Sequence, residues 1–249
     1  MQISLIKLDK ILGPCNFSTD TGTYLFTEEE SKHCVRVLRL TEGDSLHLTD
    51  GRGLLCRAEI VEASPKHCRV EIRERWSEYG RRSYELVMAV APTKNSDRFE
   101  WFVEKATEIG VDRIVPLLTD RCERRVLKTD RLEKVATSAM KQSLKAYHPV
   151  IDALTPFREF VAQPFDGVKL IAHCEEDMPR QYIGKLVPAA SRTMVLIGPE
   201  GDFSPEEIAL AHQYGFENVS LGHSRLRTET AAVTTVADVA FINESTLNN

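Results

Sequence analysis

Two short stretches hold the residue types best suited to a binding or catalytic site. Gly198-Pro199-Glu200-Gly201 follows an apolar run of strand length at 194–197, and Ser204-Pro205-Glu206-Glu207 comes soon after it. Ser204 suits an N-cap, Pro205 the first helical position, and Glu207 completes a capping box, so the spacing predicts strand, glycine loop and helix in that order. Gly215 closes that helix, with Phe216 placed to fold back on it. The second stretch runs Gly222-His223-Ser224-Arg225-Leu226-Arg227-Thr228-Glu229-Thr230. It follows a short strand pattern at 218–221 and precedes an apolar helix with Val233, Val236, Ala237 and Ala240 at helical spacing. In open α/β sheets, ligands lie at such carboxyl ends of strands. Glycine there lets backbone amides approach a ligand closely, and it equally serves a tight turn with no ligand.

Several chemistries are excluded. The chain has no G-x-x-x-x-G-K-[ST] and no G-x-G-x-x-G, so a phosphate cradle is weakly supported. Gly222-His223-Ser224-Arg225-Leu226 lacks the closing glycine of a nucleophile elbow, which removes a serine hydrolase. Cysteines at 15, 34, 56, 68, 122 and 174 form no C-x-x-C pair. They read as free structural thiols of a reducing cytosol. His33-Cys34, His67-Cys68 and His173-Cys174 place adjacent side chains on opposite faces of a strand, so no metal is expected.

These loops need a scaffold, and the rest of the chain describes one. Its 249 residues are 42% apolar and 28% charged, ordinary values for a globular protein. The opening MQISLIKLDK has no signal-peptide core and no run reaches membrane length, so a cytoplasmic protein without membrane contact is expected. Net charge is −5, which argues against a generic nucleic-acid binder. The distribution is uneven: residues 75–145 carry 15 basic and 11 acidic side chains, against 7 and 14 in residues 146–249. The excess concentrates in Arg121, Arg124, Arg125, Lys128, Arg131, Lys134, Lys141 and Lys145, either a phosphate-contacting surface or a solvated helix face.

Residues 1–74 read as mostly β. Strands are expected at 45–49 and 54–62, and a third from Cys68, with Cys56, Ala58, Ile60, Cys68, Val70 and Ile72 on a buried face. Short strands and tight turns suggest a small barrel. Residues 29–38 suit a short helix carrying Lys32, Arg36 and Arg39. A polar linker at 75–83 follows. From 84 to 249 the pattern alternates: strand 84–91, a helix capped by Ser96 and closed by Gly110, strand 113–118, helix 130–146, and strand 168–173. This is the signature of a parallel α/β sheet.

GPEGDFS together with LGHSRLRTETA resembles the RsmE-type 16S ribosomal RNA (uridine-N3) methyltransferases of the SPOUT superfamily. KNSDRFEWFVEKATEIGV carries matching positions at Lys94, Arg98, Lys105 and Glu108, Arg121 matches after the next strand, and HCVRVLR with Gly43-Asp44 extends the likeness toward the amino terminus. The chain departs at Asp202, where a second glycine is usual, and at Ser224-Arg225, where Arg-Ile is usual. Asp tolerates left-handed backbone better than most residues, so the first loop is still expected to form.

The resemblance implies an α/β fold: a SPOUT-type parallel sheet with a C-terminal trefoil knot, plus an N-terminal PUA-like β-barrel that binds RNA. It implies S-adenosylmethionine held by Leu196, Ile197, Gly198, Pro199, Glu200, Gly201, Leu221, Gly222, Leu226, Thr230 and Ala231. Methylation of uridine N3 needs a carboxylate base, from Glu229 or Glu200, and a cationic clamp, Arg227. RNA contacts fall to His33, Arg36, Arg39, Lys94, Arg98, Arg121, Arg124 and Arg125. The implied partners are 16S rRNA or the small ribosomal subunit, and a second copy of the chain in a homodimer. The alternative is an RNA-binding or ribosome-assembly factor of the same fold without catalysis.

Overall fold

The computed structural model describes residues 11–13, 15, 22–175 and 178–246; the stretch MQISLIKLDK lies outside them. The chain divides into two compact units, Met1–Arg81 with Met140–His148, and Arg82–Ala139 with Pro149–Asn249.

The first unit is a five-stranded sheet of β1 (Ile11–Leu12), β2 (Thr23–Leu25), β3 (Ser45–Thr49), β4 (Leu55–Glu62) and β5 (Arg69–Trp76), ordered β1-β3-β4-β5-β2. The period-2 pattern in β4 buries Cys56, Ala58 and Ile60 while Arg57 and Glu59 stay half-exposed. Cys68 and Val70 join the same core. Between β2 and β3, helix α1 (Glu28–Lys32) starts at an N-cap, Thr27, whose hydroxyl accepts from the Glu30 amide at 3.3 Å. Beyond it the expected uniform helix widens into a π-helical turn, His33–Val37. That turn buries Cys34 and leaves His33 and Arg36 exposed, and Arg39 follows in left-handed backbone at φ 55°.

Residues 140–148 complete this unit. Ala146 packs with Leu55, and Leu144, Trp76 and Tyr79 lie against them. The Gly53 amide donates to the Ala146 carbonyl, and the His148 amide to that of Gly51, each at 2.9 Å. Helix α3 (Thr129–Gln142) therefore stops short of the expected 146, with Leu144 at φ 56°. Its apolar residues turn out of the helix to pack on the barrel.

The second unit is a parallel sheet. Its strands are β6 (Glu85–Val90), β7 (Arg113–Leu118), β8 (Val150–Ile151), β9 (Thr155–Pro156), β10 (Val168–Ala172), β11 (Gln181–Tyr182), β12 (Arg192–Ile197) and β13 (Glu217–Ser220). They run in the order β11-β13-β10-β12-β6-β7-β8, with β9 alongside β7. The inner strands β6, β10 and β12 are near-continuous apolar runs, as strands covered on both faces must be. Because every pair is parallel, the loops after β6, β7, β10, β12 and β13 emerge at one edge of the sheet.

Helices α2 (Ser96–Ile109), α4 (Phe157–Val161), α5 (Ile183–Leu186), α6 (Pro205–Gln213) and α7 (Thr228–Thr246) cover the sheet. Asn95, not Ser96, caps α2, its side chain accepting from the Asp97 amide at 2.9 Å. Ser96 is already helical. In α7 the buried stripe is Ala232, Thr235, Val236, Val239, Ala240 and Asn243. The expected stripe lay one step round: Ala237 is exposed and Val233 only half-buried, because α7 turns its inner face to α2, α5 and β6.

Asn243 fastens the inner end of α7. Its amide oxygen accepts from Ala190 at 2.6 Å and its NH2 donates to the Val239 carbonyl at 2.8 Å. Asn243→Leu keeps the volume and strands the Ala190 amide, so it should cost about 1–3 kcal/mol. The urea midpoint of the variant measures this.

Candidate active site

Gly198 to Gly201 lie outside the helices and strands, in a turn closed by the Asp202 amide donating to the Pro199 carbonyl at 2.9 Å, and neighbouring groups brace it. Arg121 donates from one guanidinium nitrogen to the carbonyls of Gly201 (3.0 Å) and Phe203 (3.2 Å). Glu200 accepts the Lys94 amide at 3.0 Å, and the Thr228 hydroxyl donates to the Gly198 carbonyl at 3.1 Å. Asp202 sits at φ 62°, the left-handed backbone anticipated for it. Its two oxygens accept the amides of Phe203 and Cys174, both at 2.8 Å. A Cβ on Gly198 would stand 3.1 Å from the buried Phe203 ring, so any side chain there would require that ring to shift by a few tenths of an ångström.

The helix after this loop is anchored as its sequence predicts. Ser204 and Glu207 form the reciprocal capping box, and Pro205 is the first helical residue. Glu207 is buried. One of its oxygens takes the Ser204 amide and the other the Asp120 amide, each at 2.9 Å. Burial pushes its carboxyl above the usual range, while the two amides pull it back.

Past β13 the second loop is looser. Gly222 stands at φ 125° with open space around its Cα, a conformation other residues rarely adopt. His223 meets the Tyr182 hydroxyl at 2.5 Å through Nε2. Arg225 and Arg227 are exposed, and neither guanidinium has a partner among the described residues.

Together the loops enclose a cavity of about 540 Å³. Its lining includes the expected Ile197, Gly198, Pro199, Glu200, Gly201, Leu221, Gly222, Leu226, Arg227 and Ala231. Leu196 and Thr230, also expected there, do not line it, and Leu196 is fully buried in the core on one sheet face. Glu229 does not line it either. Its carboxylate is buried and faces Arg98 across 3.7 Å, with Oε2 lacking a hydrogen-bond partner among the described residues.

A third wall comes from the end of β10, where His173, Cys174 and Arg180 line the cavity. By sequence, His173 and Cys174 suggest only metal ligands or structural thiols. Their place at the carboxyl end of a predicted parallel strand was the available signal. His173 Nε2 meets the Asn218 side-chain oxygen at 2.8 Å, and its Nδ1 accepts the Glu175 amide at 3.2 Å. His173 therefore donates from Nε2. Cys174 is the exposed cysteine, and the other five are buried. Burial and the Asp202 carboxylate push its thiol up, while Arg225 and Arg180 pull it down. No group of three or more His, Cys, Asp or Glu arranged to hold a metal occurs among the described residues.

Of the remaining expected RNA-contacting residues, Lys94, Arg124 and Arg125 line a separate groove with Glu123 and Val126. Arg124 donates to the carbonyls of Thr93 and Lys94, Arg125 to that of Asp120, and Lys94 pairs with Glu123 at 2.9 Å.

A parallel sheet with a loop-walled cavity at its carboxyl edge defines a class of ligand-binding α/β protein. Residues 81–240 match the model of the RNA methyltransferase domain, and residues 26–73 that of the RNA methyltransferase PUA domain. The chain belongs to the RNA methyltransferase family of the ribosomal RNA small subunit methyltransferase E type. The Mycobacterium bovis enzyme of that name is 32% identical over 90% of this chain and 88% of its own. The crystal structure of a probable rRNA-methyltransferase from Porphyromonas gingivalis superposes with a TM-score of 0.84 at 42% identity, covering 89% of this chain and 94% of that one. The Neisseria gonorrhoeae ribosomal RNA small subunit methyltransferase E, solved bound to S-adenosyl methionine, gives 0.81 at 25% identity over 94% and 97%.

Glu207→Ala would unpair two amides at once and remove the capping box. It should cost about 2–4 kcal/mol, read as a lower thermal midpoint.

Proposed function

We propose that this protein transfers a methyl group from S-adenosylmethionine to N3 of a uridine in the 16S rRNA of the small ribosomal subunit. One observation carries the reading: two glycine loops at the carboxyl edge of a parallel sheet enclose a cavity with Arg227 in its wall, its guanidinium without a partner among the described residues. The volume lies in the range of small-molecule pockets, roughly 300–1,000 Å³. Leu221, Leu226 and Ala231 offer an apolar surface for an adenine, and the backbone at 198–201 and at Gly222 offers polar groups to its edge. Bound there, S-adenosylmethionine supplies an electrophilic methyl group on a sulfonium.

The residues of the chain handle the nucleophile. Uridine N3 holds a proton at neutral pH, and a base must take it. Glu200 suits that role better than Glu229, because Glu200 lines the cavity and Glu229 is turned to Arg98. Glu200 Oε1 is occupied by the Lys94 amide, which leaves Oε2 for the proton. As N3 loses its proton, charge would spread to the flanking carbonyl oxygens, and the Arg227 guanidinium would stabilise it. The proton leaves from Glu200, which is exposed, to solvent. The departure at Asp202 leaves the loop formed, so a non-catalytic assembly factor gains no support from it.

RNA would be held by His33, Arg36 and Arg39 in the first unit and by Lys94, Arg98, Arg121, Arg124 and Arg125 in the second. The carboxyl-terminal part of the sheet unit is assigned a trefoil knot, supported by the family likeness. Its working place is the cytoplasm, where small subunits are assembled; no helix among the described residues is long and apolar enough to cross a membrane. A homodimer is supported by α7, where Ala237 is exposed and Phe241 is 73% exposed. Such a ring on a helix that is otherwise packed asks for a cover.

Arg227→Ala should bind the cofactor as wild type does and lose roughly a hundredfold in kcat. Calorimetry and turnover on small subunits test this, with nucleoside analysis identifying N3-methyluridine. Near-normal turnover would remove Arg227 from catalysis. Phe241→Asp should shift light scattering from dimer to monomer mass, and a wild type that is already monomeric would defeat the interface.

A further inference from the structure

We infer that Asp202 is a positioning residue for the cavity: its carboxylate ties the first glycine loop to the chain leaving β10 and so sets the spacing of two cavity walls. The inference rests on the cofactor reading above. Three observations carry it. Asp202 holds left-handed backbone at φ 62°, a conformation that Asp tolerates better than most residues. Its two oxygens divide between the walls, Oδ1 taking the Phe203 amide of its own loop and Oδ2 the Cys174 amide beyond β10, both at 2.8 Å. Asp202 and Cys174 both line the cavity.

The other braces on this loop come from elsewhere. Arg121 holds its carbonyls, Lys94 meets Glu200, and Thr228 reaches Gly198. None of them reaches the wall at Cys174. Without the carboxylate, the Cys174 amide faces solvent and the two walls part on the side where Cys174 and Arg180 stand. Glycine at this position would form the turn but could not make the tie.

Asp202→Gly and Asp202→Asn separate the turn from the tie. Both tolerate left-handed backbone. Asp202→Gly should keep the wild-type thermal midpoint within a few degrees and bind S-adenosylmethionine and S-adenosylhomocysteine about tenfold more weakly, the scale of one charge-assisted hydrogen bond. Asp202→Asn keeps one acceptor oxygen and should fall between. In turnover, the cofactor KM should rise while kcat and the KM for the ribosomal substrate hold. A second readout is local: Cys174 is the exposed cysteine, and loss of the neighbouring negative charge should move the pH–rate profile of its alkylation by iodoacetamide to lower pH in both variants. Wild-type affinity in Asp202→Gly with an unmoved thiol profile would overturn the positioning role alone. A wild-type protein that binds neither adenosyl compound would overturn the cofactor reading and this role together.

Discussion

Backbone groups that face a cavity cannot also be spent on a helix or a sheet ladder, so their positions depend on side chains reaching in from elsewhere. The loop after β12 is held in this way. Arg121 takes its carbonyls, Thr228 takes that of Gly198, Asp202 ties it to Cys174, and Glu200 meets Lys94. The capping box at Ser204 and Glu207 then fixes where the loop ends, and Asp120 joins that box through its own amide. Loops after β6, β7, β10 and β12 thus brace one another. They can do so because a parallel sheet delivers all of them to the same edge.

The same economy changes the meaning of the positive charges. By charge alone, the band from Arg121 onward suits a phosphate-contacting surface or a solvated helix face. Arg121, Arg124 and Arg125 each donate to main-chain carbonyls, and Arg131 pairs with Glu100 at 2.9 Å. A guanidinium has five N–H donors, so bracing a loop with one or two leaves others facing outward. These arginines serve the shape of the edge first. Arg225 and Arg227 differ, because no hydrogen bond or ion pair to a described residue holds either guanidinium.

The two carboxylates show how a small displacement separates roles. Glu200 lies in the loop before α6, and Glu229 lies in the first turn of α7. Glu200 precedes the turn and lines the cavity. Glu229 lies one residue inside α7, where the helix has already rotated its side chain toward α2 and Arg98. A buried carboxylate near a helix amino terminus is stabilised by the helix dipole, which accounts for its tolerance there despite an unpaired oxygen.

Much was legible in the sequence because it depends on neighbours along the chain. Strand and helix alternation, the capping box at Ser204, the strand–glycine–helix order of both loops and the family likeness are local patterns, and local sterics and hydrogen bonding enforce them. Asp202 could be expected in left-handed backbone for the same reason. Only the tertiary structure decided what packs on what. It set the face of α7 that is buried, because α2, α5 and β6 cover it. It ended α3 at Gln142, because Leu144 and Ala146 gain more by packing near Leu55 than by extending the helix. It brought His173, Cys174 and Arg180 to the cavity, since β10 lies beside β12 only after a crossover that no local pattern encodes. And it joined Asp202 to Cys174, a contact between residues 28 positions apart that exists only once those two strands are paired.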